Sequence, residues 1–425
     1  MSEASHKNAT LRLAPIVGGG LLQFTTYIFG FLAFAATFFA SALISNSPTM
    51  MILLGFIVAA GIFALGSYLS GKLFRIGKTT QYMMVQTIIL MALLCGLTMA
   101  FLLQPLVPKA EQFVSGEVEG IEFWDLPTGS KIAVRKYKSQ TSETKLPIII
   151  LHGGPGAYSI SFQPIVDVYS KLTANGHDVY LYDQIGGGLS ARLNDISEYS
   201  LRRHIDDLKA IHSRIGSKQA IFIGSSWGAT LSANYLAKYP DDVARVIFSG
   251  PGPIYRPDWT TVAEGNLDDR MSSKQKKNFD AAIEKPRLFT ALILADINPA
   301  AAAKFAPEQE MGPFFDKIAN DHYLPLAICD PSKAVARSNG YGFWSSRMTG
   351  KTLLDRTDDP KPALKKNGLP AMILRGSCDY KSEAVARQYA SVFPNAEFVE
   401  VNEAGHMIYG EKPEEYLRLV RGFLQ

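Results

Sequence analysis

Metal-binding and redox signatures are scarce in this sequence. Its 425 residues include only three cysteines, Cys95, Cys329 and Cys378, which lie far apart. No C-x-x-C, H-E-x-x-H or paired Cys/His spacing occurs. The formal net charge is only +4, and no block of like charges provides the electrostatic footprint of a nucleic-acid-binding protein. We therefore expect neither a metal site nor a nucleic-acid partner.

Charged residues are also missing from three long stretches near the N-terminus. Residues 15–44, 49–70 and 81–107 contain no Asp, Glu, Lys, Arg or His, and each is long enough to cross a bilayer core, which needs about 20 apolar residues. One such run could be a buried core helix, but three in succession favour transmembrane helices. A signal peptide has a shorter apolar region and would not be followed by two further spans. Residues 1–107 are therefore predicted to be a membrane region with three helices.

The charges that flank these stretches predict the orientation of the chain. The N-terminal tail and the second loop are positively charged, whereas the first loop, at residues 46–48, is uncharged; the basic residues are Lys7, Arg12, Lys72, Arg75 and Lys78. By the positive-inside rule the N-terminus is cytoplasmic, and everything after residue 107 is extracytoplasmic. Anchoring in the lipid bilayer is the predicted role of the spans; binding a partner or presenting a lipid substrate is the alternative. An extracytoplasmic Cys329 and Cys378 would share an oxidising space and could pair.

After a polar linker at residues 108–116, short apolar runs alternate with helix-like segments. Strands are predicted at residues 117–124, 131–137, 146–151, 177–182, 219–223, 244–248, 370–374 and 396–401, and helices at 164–174, 200–215, 229–239, 383–393 and 413–424. This alternation predicts an α/β protein with a mostly parallel sheet and helices on both faces. It breaks at residues 251–366, which we interpret as an inserted helical cap. The catalytic domain would then comprise residues 117–250 and 367–425.

The most informative short motif is residues 224–228, which read G-x-S-x-G with Ser226 at the centre. A predicted buried strand precedes it and a predicted helix follows, which is the arrangement of a nucleophile elbow. A serine in an ordinary glycine turn is the alternative, since the motif occurs by chance in roughly one chain of this length in seven. Whether Ser226 is a nucleophile therefore depends on catalytic partners elsewhere in the chain.

Suitable partners follow two later strands. Asp379 and His406 each come after a predicted strand, and the order Ser226, Asp379, His406 is that of α/β-hydrolase triads. Either residue alone would be better explained as a capping aspartate or a loop histidine. Residues 152–156 read H-G-G-P-G, and we expect the N–H groups of Gly154 and Trp227 to form the oxyanion hole. His152 is expected to brace this loop.

A second glycine motif requires a different interpretation. Residues 186–191 match G-x-G-x-x-A after a strand, but residues 192–195 resemble a turn, whereas a dinucleotide site needs a helix to begin there. We therefore expect no cofactor.

Together these motifs resemble the proline iminopeptidase branch of the α/β-hydrolases over roughly residues 117–425. That family has H-G-G-P-G after the third strand, D-Q-R-G-x-G-x-S after the fourth and G-x-S-W-G at the elbow, which correspond here to residues 152–156, 183–190 and 224–228. The resemblance implies an α/β-hydrolase fold, the triad Ser226, Asp379 and His406, oxyanion donors at Gly154 and Trp227, a small-molecule or peptide substrate and no cofactor.

The sequence departs from that family in the parts that select the substrate. Ile185 and Leu189 replace common arginines, and the tryptophan stretch of the cap, residues 342–347, contains none of the acids that bind a free amino terminus in the family. Acids occur elsewhere in the cap, at Glu264, Asp268 and Asp269. The leading hypothesis is a membrane-anchored serine hydrolase that uses an acyl-enzyme and acts on N-terminal peptide bonds or small amides and esters. A lipid or acyl esterase, and a non-catalytic binding domain, are the alternatives.

Overall fold

The computed structural model describes residues 2–107, 119–142, 145–333 and 336–425. The chain forms two compact units, one made of Met1–Leu106 and Glu284–Pro307, the other of Val107–Ile283 and Glu308–Gln425. The predicted linker at residues 108–116 and the start of the first predicted strand lie outside the described residues.

The three apolar helices and the five helices predicted outside the cap lie close to their predicted positions, whereas the helices within residues 251–366 and the one at 408–411 were not predicted individually. In chain order they are α1 Ser2–Ser41, α2 Pro48–Leu73, α3 Thr79–Leu97, α4 Gln163–Tyr169, α5 Leu201–Ile215, α6 Trp227–Lys238, α7 Ser273–Ile283, α8 Pro286–Ile297, α9 Pro299–Phe305, α10 Glu308–Ile318, α11 Leu324–Ala327, α12 Phe343–Leu354, α13 Lys361–Leu364, α14 Glu383–Val392, α15 Ile408–Glu411 and α16 Pro413–Leu424. A π-helical turn, Thr98–Leu103, extends α3, and a 3₁₀ turn, Ser170–Asn175, extends α4.

The first unit contains the three apolar helices that the sequence predicts. Pro15–Ser41, Pro48–Leu73 and Thr79–Leu103 are long and apolar enough to cross a membrane, since 25 residues of helix span roughly 37 Å and a bilayer core is about 30 Å thick. Their mutual contacts are made by a small apolar cluster that includes Phe34, Phe63 and Leu90. Many of the remaining large apolar side chains point outward, as Ile57 does with 67% of its surface exposed.

Two further helices belong to this unit, although the sequence analysis assigns them to the cap at residues 251–366. The side chain of Arg287, at the start of α8, donates to the carbonyl oxygens of Leu102 and Phe305, both at 2.6 Å. Asn298, between α8 and α9, donates to the carbonyl oxygen of Ala42 at 2.7 Å. The predicted domain boundaries stay a prediction, but residues 284–307 pack with the apolar helices.

The second unit is built on one eight-stranded sheet of the described residues. Its strands are β1 Ile121–Asp125, β2 Lys131–Tyr137, β3 Ile148–Leu151, β4 Val179–Tyr182, β5 Ala220–Ser225, β6 Val243–Ser249, β7 Ala371–Gly376 and β8 Ala396–Val401. Their order is β1-β2-β4-β3-β5-β6-β7-β8. Only the pairs β1–β2 and β2–β4 are antiparallel, so the predicted mostly parallel sheet is confirmed.

Helices cover both faces of this sheet, which explains why its central strands are apolar throughout. On one face, Ile223 and Leu374 pack in a core that includes Tyr416 of α16. On the other, the ring of Phe222 lies 5.3 Å from that of Tyr235 in α6, and further aromatic residues of β6 and α14 continue the layer. Strands buried on both faces leave only their carboxyl ends and the following loops free to carry polar chemistry.

Candidate active site

The backbone at Ser226 forms the sharp turn that the G-x-S-x-G motif predicts. Ser226 lies between the end of β5 and the first residue of α6, with φ 55° and ψ −116°, a conformation that non-glycine residues seldom adopt. A side chain could not be accommodated at Gly228, because an added Cβ would lie 1.9 Å from the carbonyl oxygen of Leu151. Strain of this kind persists where the surroundings enforce it, and it is concentrated at active sites.

Asp379 and His406 meet at the same edge of the sheet. The ring nitrogen Nδ1 of His406 lies 2.8 Å from Oδ1 of Asp379, and both side chains are more than nine-tenths buried. The same carboxylate oxygen accepts a hydrogen bond from the backbone N–H of Lys381 at 2.9 Å. Burial alone would raise the pKa of Asp379, but the charge and the hydrogen bond of His406 lower it below its usual value. The aspartate is therefore a carboxylate, and its hydrogen bond fixes the orientation of the imidazole.

A glycine that the sequence analysis does not single out makes room for this pair. Gly250 follows β6 with φ 49°, and a Cβ added there would lie 2.8 Å from the carbonyl oxygen of His406 and 3.2 Å from Oδ2 of Asp379. Only glycine combines this backbone conformation with so close an approach.

His406 also lines a cavity, and its other ring nitrogen has no hydrogen-bond partner among the described residues. This nitrogen, Nε2, is buried, and Ser226 lines the same cavity. The ring of Tyr380 lies 4.5 Å from that of His406 and covers it on one side. A histidine that is held at Nδ1 and open at Nε2 can accept a proton only at Nε2.

The loop after β3 reaches the same cavity. Gly154 lines it with φ 120°, and Trp227 is the first residue of α6. The N–H groups of a helix's first turn have no intrahelical acceptor, so the N–H of Trp227 is available to an oxygen bound above Ser226. The two residues predicted as oxyanion donors thus flank the predicted nucleophile.

His152 braces this loop, as expected. Its Nδ1 lies 2.8 Å from the carbonyl oxygen of Gly153, and its Nε2 accepts the backbone N–H of Gln184 at 2.9 Å. The side chain of Gln184 in turn accepts the indole N–H of Trp227 at 2.7 Å. Burial lowers the pKa of His152, so it remains a neutral ring that joins three loops of the site.

The cavity itself is apolar and rich in aromatic side chains. It has a volume of about 320 Å³. Its aromatic lining residues are Tyr158, Phe162, Phe315, Tyr323, Tyr341, Tyr380 and Tyr409. Within the described ranges, no aspartate or glutamate lines it. Sequence analysis does not identify the aromatic lining, because these residues come from separate cap segments and from loops of the sheet.

The cap acids that could have bound an amino terminus are engaged elsewhere. Glu264 is buried and pairs with Arg256 at 2.7 Å and Lys381 at 3.3 Å. Asp268 is half-buried and lies 3.7 Å from Lys276, and Asp269 accepts the backbone N–H of Asn266 at the start of its own 3₁₀ turn. None of the three lines the cavity.

Two more buried carboxylates hold the cap together. Glu308, at the start of α10, accepts the backbone N–H groups of Phe343 and Trp344 at 2.7 and 3.0 Å, and burial raises its pKa to about 7. Asp316 accepts the N–H of Gly340 at 2.8 Å. These acids satisfy backbone donors of the tryptophan stretch and its preceding loop.

Cys329 of the cap and Cys378, the residue before Asp379, form a disulfide. The backbone N–H of Cys329 also donates to Glu411, whose other oxygen accepts the N–H of Gly405, next to His406. The cap is thereby joined to both loops that carry the acid and the base.

The described residues offer no arrangement typical of a metal ion or a dinucleotide. No group of three or more His, Cys, Asp or Glu side chains in that part of the chain could hold a metal ion. The G-x-G-x-x-A segment forms a turn-rich loop, followed only by a short 3₁₀ turn, Ile196–Glu198. Asp183 organises this loop by accepting the N–H groups of Ser159, Ile160 and Leu189.

Comparison with known proteins agrees with this fold. Residues 147–413, more than half of the chain, match the family described as the alpha/beta hydrolase fold, and the chain belongs to that family. It is a hydrolase. A solved structure of an alpha/beta fold family hydrolase from Bacillus anthracis str. Sterne superposes with a TM-score of 0.52 at 17% identity, over 71% of this chain and 98% of that one.

The sequence is similar to curated proline iminopeptidases. It is 27% identical to the proline iminopeptidase of Heyndrickxia coagulans, over 70% of this chain and 96% of the relative. It is 26% identical to that of Lactobacillus delbrueckii subsp. bulgaricus, over 66% of this chain and 90% of the relative. The resemblance to this branch, inferred from three motifs, is therefore confirmed.

Proposed function

We propose that the chain is a serine hydrolase in which Ser226 is the nucleophile, His406 the general base and Asp379 the residue that orients the base. The observation that carries the proposal is the shared cavity: Ser226, His406 and Gly154 all line it, and Nε2 of His406 has no hydrogen-bond partner among the described residues. A serine hydroxyl needs a base that takes its proton and donors that stabilise the oxyanion. This cavity brings those groups together.

In the proposed reaction, His406 Nε2 takes the proton of Ser226 as Oγ attacks the substrate carbonyl. The negative oxygen is stabilised by the N–H groups of Gly154 and Trp227. His406 then gives the proton to the leaving amine or alcohol, and the carbonyl carbon remains bonded to Oγ as an acyl-enzyme. Water, deprotonated by His406, attacks that ester; the acid product leaves and Ser226 regains its proton.

Labelling with a fluorophosphonate probe tests the nucleophile. The full-length chain should react once, and Ser226→Ala should abolish the reaction. Ser225 provides a matched control, because it is the neighbouring residue and also lines the cavity. Ser225→Ala should still be labelled. Labelling that survives Ser226→Ala would place the nucleophile elsewhere.

For the substrate we propose small amides at a peptide N-terminus, with N-terminal proline as the first residue to test. Support comes from the iminopeptidase relatives, which align over nearly their whole length. The cavity has no carboxylate for an ammonium group within the described residues, but its aromatic rings provide an alternative. Aromatic faces attract cations by about 0.5–2 kcal/mol, and the five-membered ring of proline suits an apolar cavity of this volume.

The carboxylate-free lining also favours a second candidate, an esterase for neutral acyl groups, since an ester without an ammonium needs no charged partner. Rates of hydrolysis separate the two. The comparison uses three substrates at equal concentrations: proline amide, its N-acetylated form and the acetate ester of a short-chain alcohol. An aminopeptidase loses most of its kcat/KM when the amine is blocked; equal rates on both forms, or activity on the ester alone, would favour the esterase.

We further propose that the three apolar helices of the first unit span the membrane and that the hydrolase unit is extracytoplasmic. The positive tail and second loop support this orientation, and so does the Cys329–Cys378 disulfide, because such bonds persist in oxidising compartments. Intact mass after alkylation, with and without reductant, tests the disulfide in protein purified from membranes. Alkylation of both cysteines without reductant would remove this support.

A further inference from the structure

The helix α8 presents an apolar face to the outside. Phe289, Ile293 and Ile297 have 51%, 47% and 37% of their surfaces exposed. Residues four apart stack along one side of a helix, so the three form a single stripe. Asp296 is also exposed, at the C-terminal end of the same face. A helix at a protein–water boundary normally turns polar residues outward. We therefore expect an apolar neighbour to cover this stripe.

The inner face of α8 shows where the helix is attached. Its buried residues are Arg287, Leu288, Thr290, Ala291, Leu294 and Ala295. The guanidinium of Arg287 donates to the carbonyl oxygen of Leu102 in the last turn of the third apolar helix, and it lies 4.7 Å above the ring of Phe305. The N-terminal end of α8 is therefore fixed to the end of the third helix.

The C-terminal end of α8 is fixed to a different loop. The side-chain amide of Asn298 donates to the carbonyl oxygen of Ala42 and to the side chain of Asn46, at 2.7 and 2.8 Å. These residues belong to the connection between α1 and α2. In a chain that crosses a membrane three times, this connection and the end of the third span are on the same side. A 12-residue helix, roughly 18 Å long, thus runs across the ends of the spans.

We propose that α8 is an interfacial membrane helix whose stripe of Phe289, Ile293 and Ile297 is buried in the acyl-chain boundary of the bilayer. Lipid is the occupant because both ends of α8 are bound to the ends of helices whose own exposed apolar side chains, such as Ile57, are proposed to face lipid. Three side chains are also too few for a stable interface between two copies, which needs roughly 1,000 Å² or more. Helices that lie in the interface with an apolar face inward are a known mode of membrane attachment.

The helix α8 belongs to a segment that interrupts the cap. The segment 284–307 leaves the cap after α7 and returns to it at α10. The hydrolase unit would then be tied to the membrane twice, once through the segment that follows the third span and once through its own cap. This inference depends on the membrane placement proposed above and does not depend on the hydrolase activity.

Fluorescence in lipid vesicles tests the proposal with the full-length chain. In a Cys95→Ser background, which removes the free cysteine, Phe289→Cys, Ile293→Cys and Ile297→Cys are each labelled with an environment-sensitive NBD dye. The proteins are reconstituted in phosphatidylcholine–phosphatidylglycerol vesicles, with and without nitroxide-labelled lipid. Size-exclusion elution and Tm must match those of the unlabelled parent.

Two control positions make the outcome decisive. Ile57→Cys reports a lipid-facing site on the second apolar helix, and Arg202→Cys reports an exposed site on α5, where the side chain is 88% exposed. We expect blue-shifted emission and quenching by the lipid nitroxide at the three α8 positions, as at Ile57→Cys, and neither effect at Arg202→Cys.

Water-like emission at the three positions, with quenching retained at Ile57→Cys, would overturn the proposal for α8 alone. Blue-shifted emission without lipid quenching would mean that protein covers the stripe, and it would also overturn the proposal. Loss of quenching at Ile57→Cys would overturn the membrane placement itself. Labelling of Ser226 by fluorophosphonate can be measured on the same samples, so failure of the proposed chemistry is seen separately.

Discussion

Replacing Asp379 tests separately whether it orients His406 and whether its negative charge assists the reaction. Oδ1 of Asp379 accepts hydrogen bonds from His406 and from the backbone N–H of Lys381. In the variant Asp379→Asn, the amide oxygen can occupy this position, since the N–H of Lys381 requires an acceptor there. The tautomer and orientation of His406 are then retained, and the variant loses mainly the negative charge.

The size of the loss follows from that charge. An ion pair at about 4 Å is worth roughly 4 kcal/mol at the effective dielectric of a protein, and this pair is almost fully buried. Because the imidazolium forms only during the reaction, we expect Asp379→Asn to lower kcat by about 10³. The serine-protease precedent, in which the wrong tautomer also forms, is about 10⁴. Asp379→Ala removes orientation as well, and we expect a loss of 10⁴ or more.

The assay is single-turnover acylation by a chromogenic ester, measured on full-length protein in detergent. Asp330→Asn serves as the matched control, because it removes an exposed cap carboxylate near the disulfide, and it should change kcat less than twofold. Tm and circular dichroism establish that the variants are folded. If folded Asp379→Asn retains kcat within tenfold of the parent, Asp379 is not the residue that assists the base. If Asp379→Asn and Asp379→Ala lower kcat by the same factor, the amide oxygen does not hold His406 in place, and the argument from the N–H of Lys381 is wrong.

Three further outcomes are expected. Gly250→Ala should lower kcat by about 10–100-fold in steady-state assays, because the new methyl group displaces His406 and Asp379. Misplacement of catalytic groups by about 1 Å can lower the rate about 10²-fold. An unchanged kcat would show that the loops adjust to the methyl group without moving these side chains. A reporter fused after residue 425 should be active only outside the cytoplasm and one at residues 72–78 only inside, and the reverse pattern would refute the orientation. The pKa of Glu308 is raised by burial, so the folded state retains a proton that the unfolded state has lost; its stabilising contribution is present below about pH 4.5 and is lost as the pH rises through about 7. The free energy of unfolding of the parent minus that of Glu308→Gln, measured by chemical denaturation, should therefore fall from pH 5 to pH 7, at up to about 1.4 kcal/mol per pH unit, and a constant difference would contradict the raised pKa.

The placement of the candidate site residues could be predicted because it depends on local patterns. The elbow at Ser226 is encoded by a strand, two glycines and a helix in direct succession. Asp379 and His406 follow β7 and β8, and parallel strands present their carboxyl ends at one edge. Short-range sequence signals and one rule of topology were enough to bring these residues together.

The cavity could not be predicted in the same way. Tyr323 and Tyr341 come from different cap segments, and Tyr158 comes from the loop after β3. No periodicity relates these positions, since they meet only after the cap has folded. The disulfide is similar: 49 residues separate its cysteines, and the sequence could say only that they share a compartment.

The packing of α8 with the apolar helices could not be predicted, for a definable reason. Its apolar run extends only from residue 288 to residue 295, between Arg287 and Asp296, which is too short for a span of about 20 residues. Length and charge therefore favour a cap helix. The attachment depends on Arg287 and Asn298, whose partners are backbone carbonyls more than 180 residues earlier in the chain. Every residue has a backbone carbonyl, so the residue types in the sequence do not indicate which carbonyls accept these hydrogen bonds.

The chain is longer than the curated relatives that it matches. The alignment with the Heyndrickxia coagulans protein uses 96% of that relative but only 70% of this chain, so the relative has no comparable length for a membrane region. At the elbow, close backbone approach leaves no room for a side chain at Gly228. In the cap, Glu264 pairs with Arg256, and the segment 284–307 packs with the apolar helices. The curated relatives are therefore a guide to the hydrolase unit, and they give no guide to the apolar helices or to the packing of that segment.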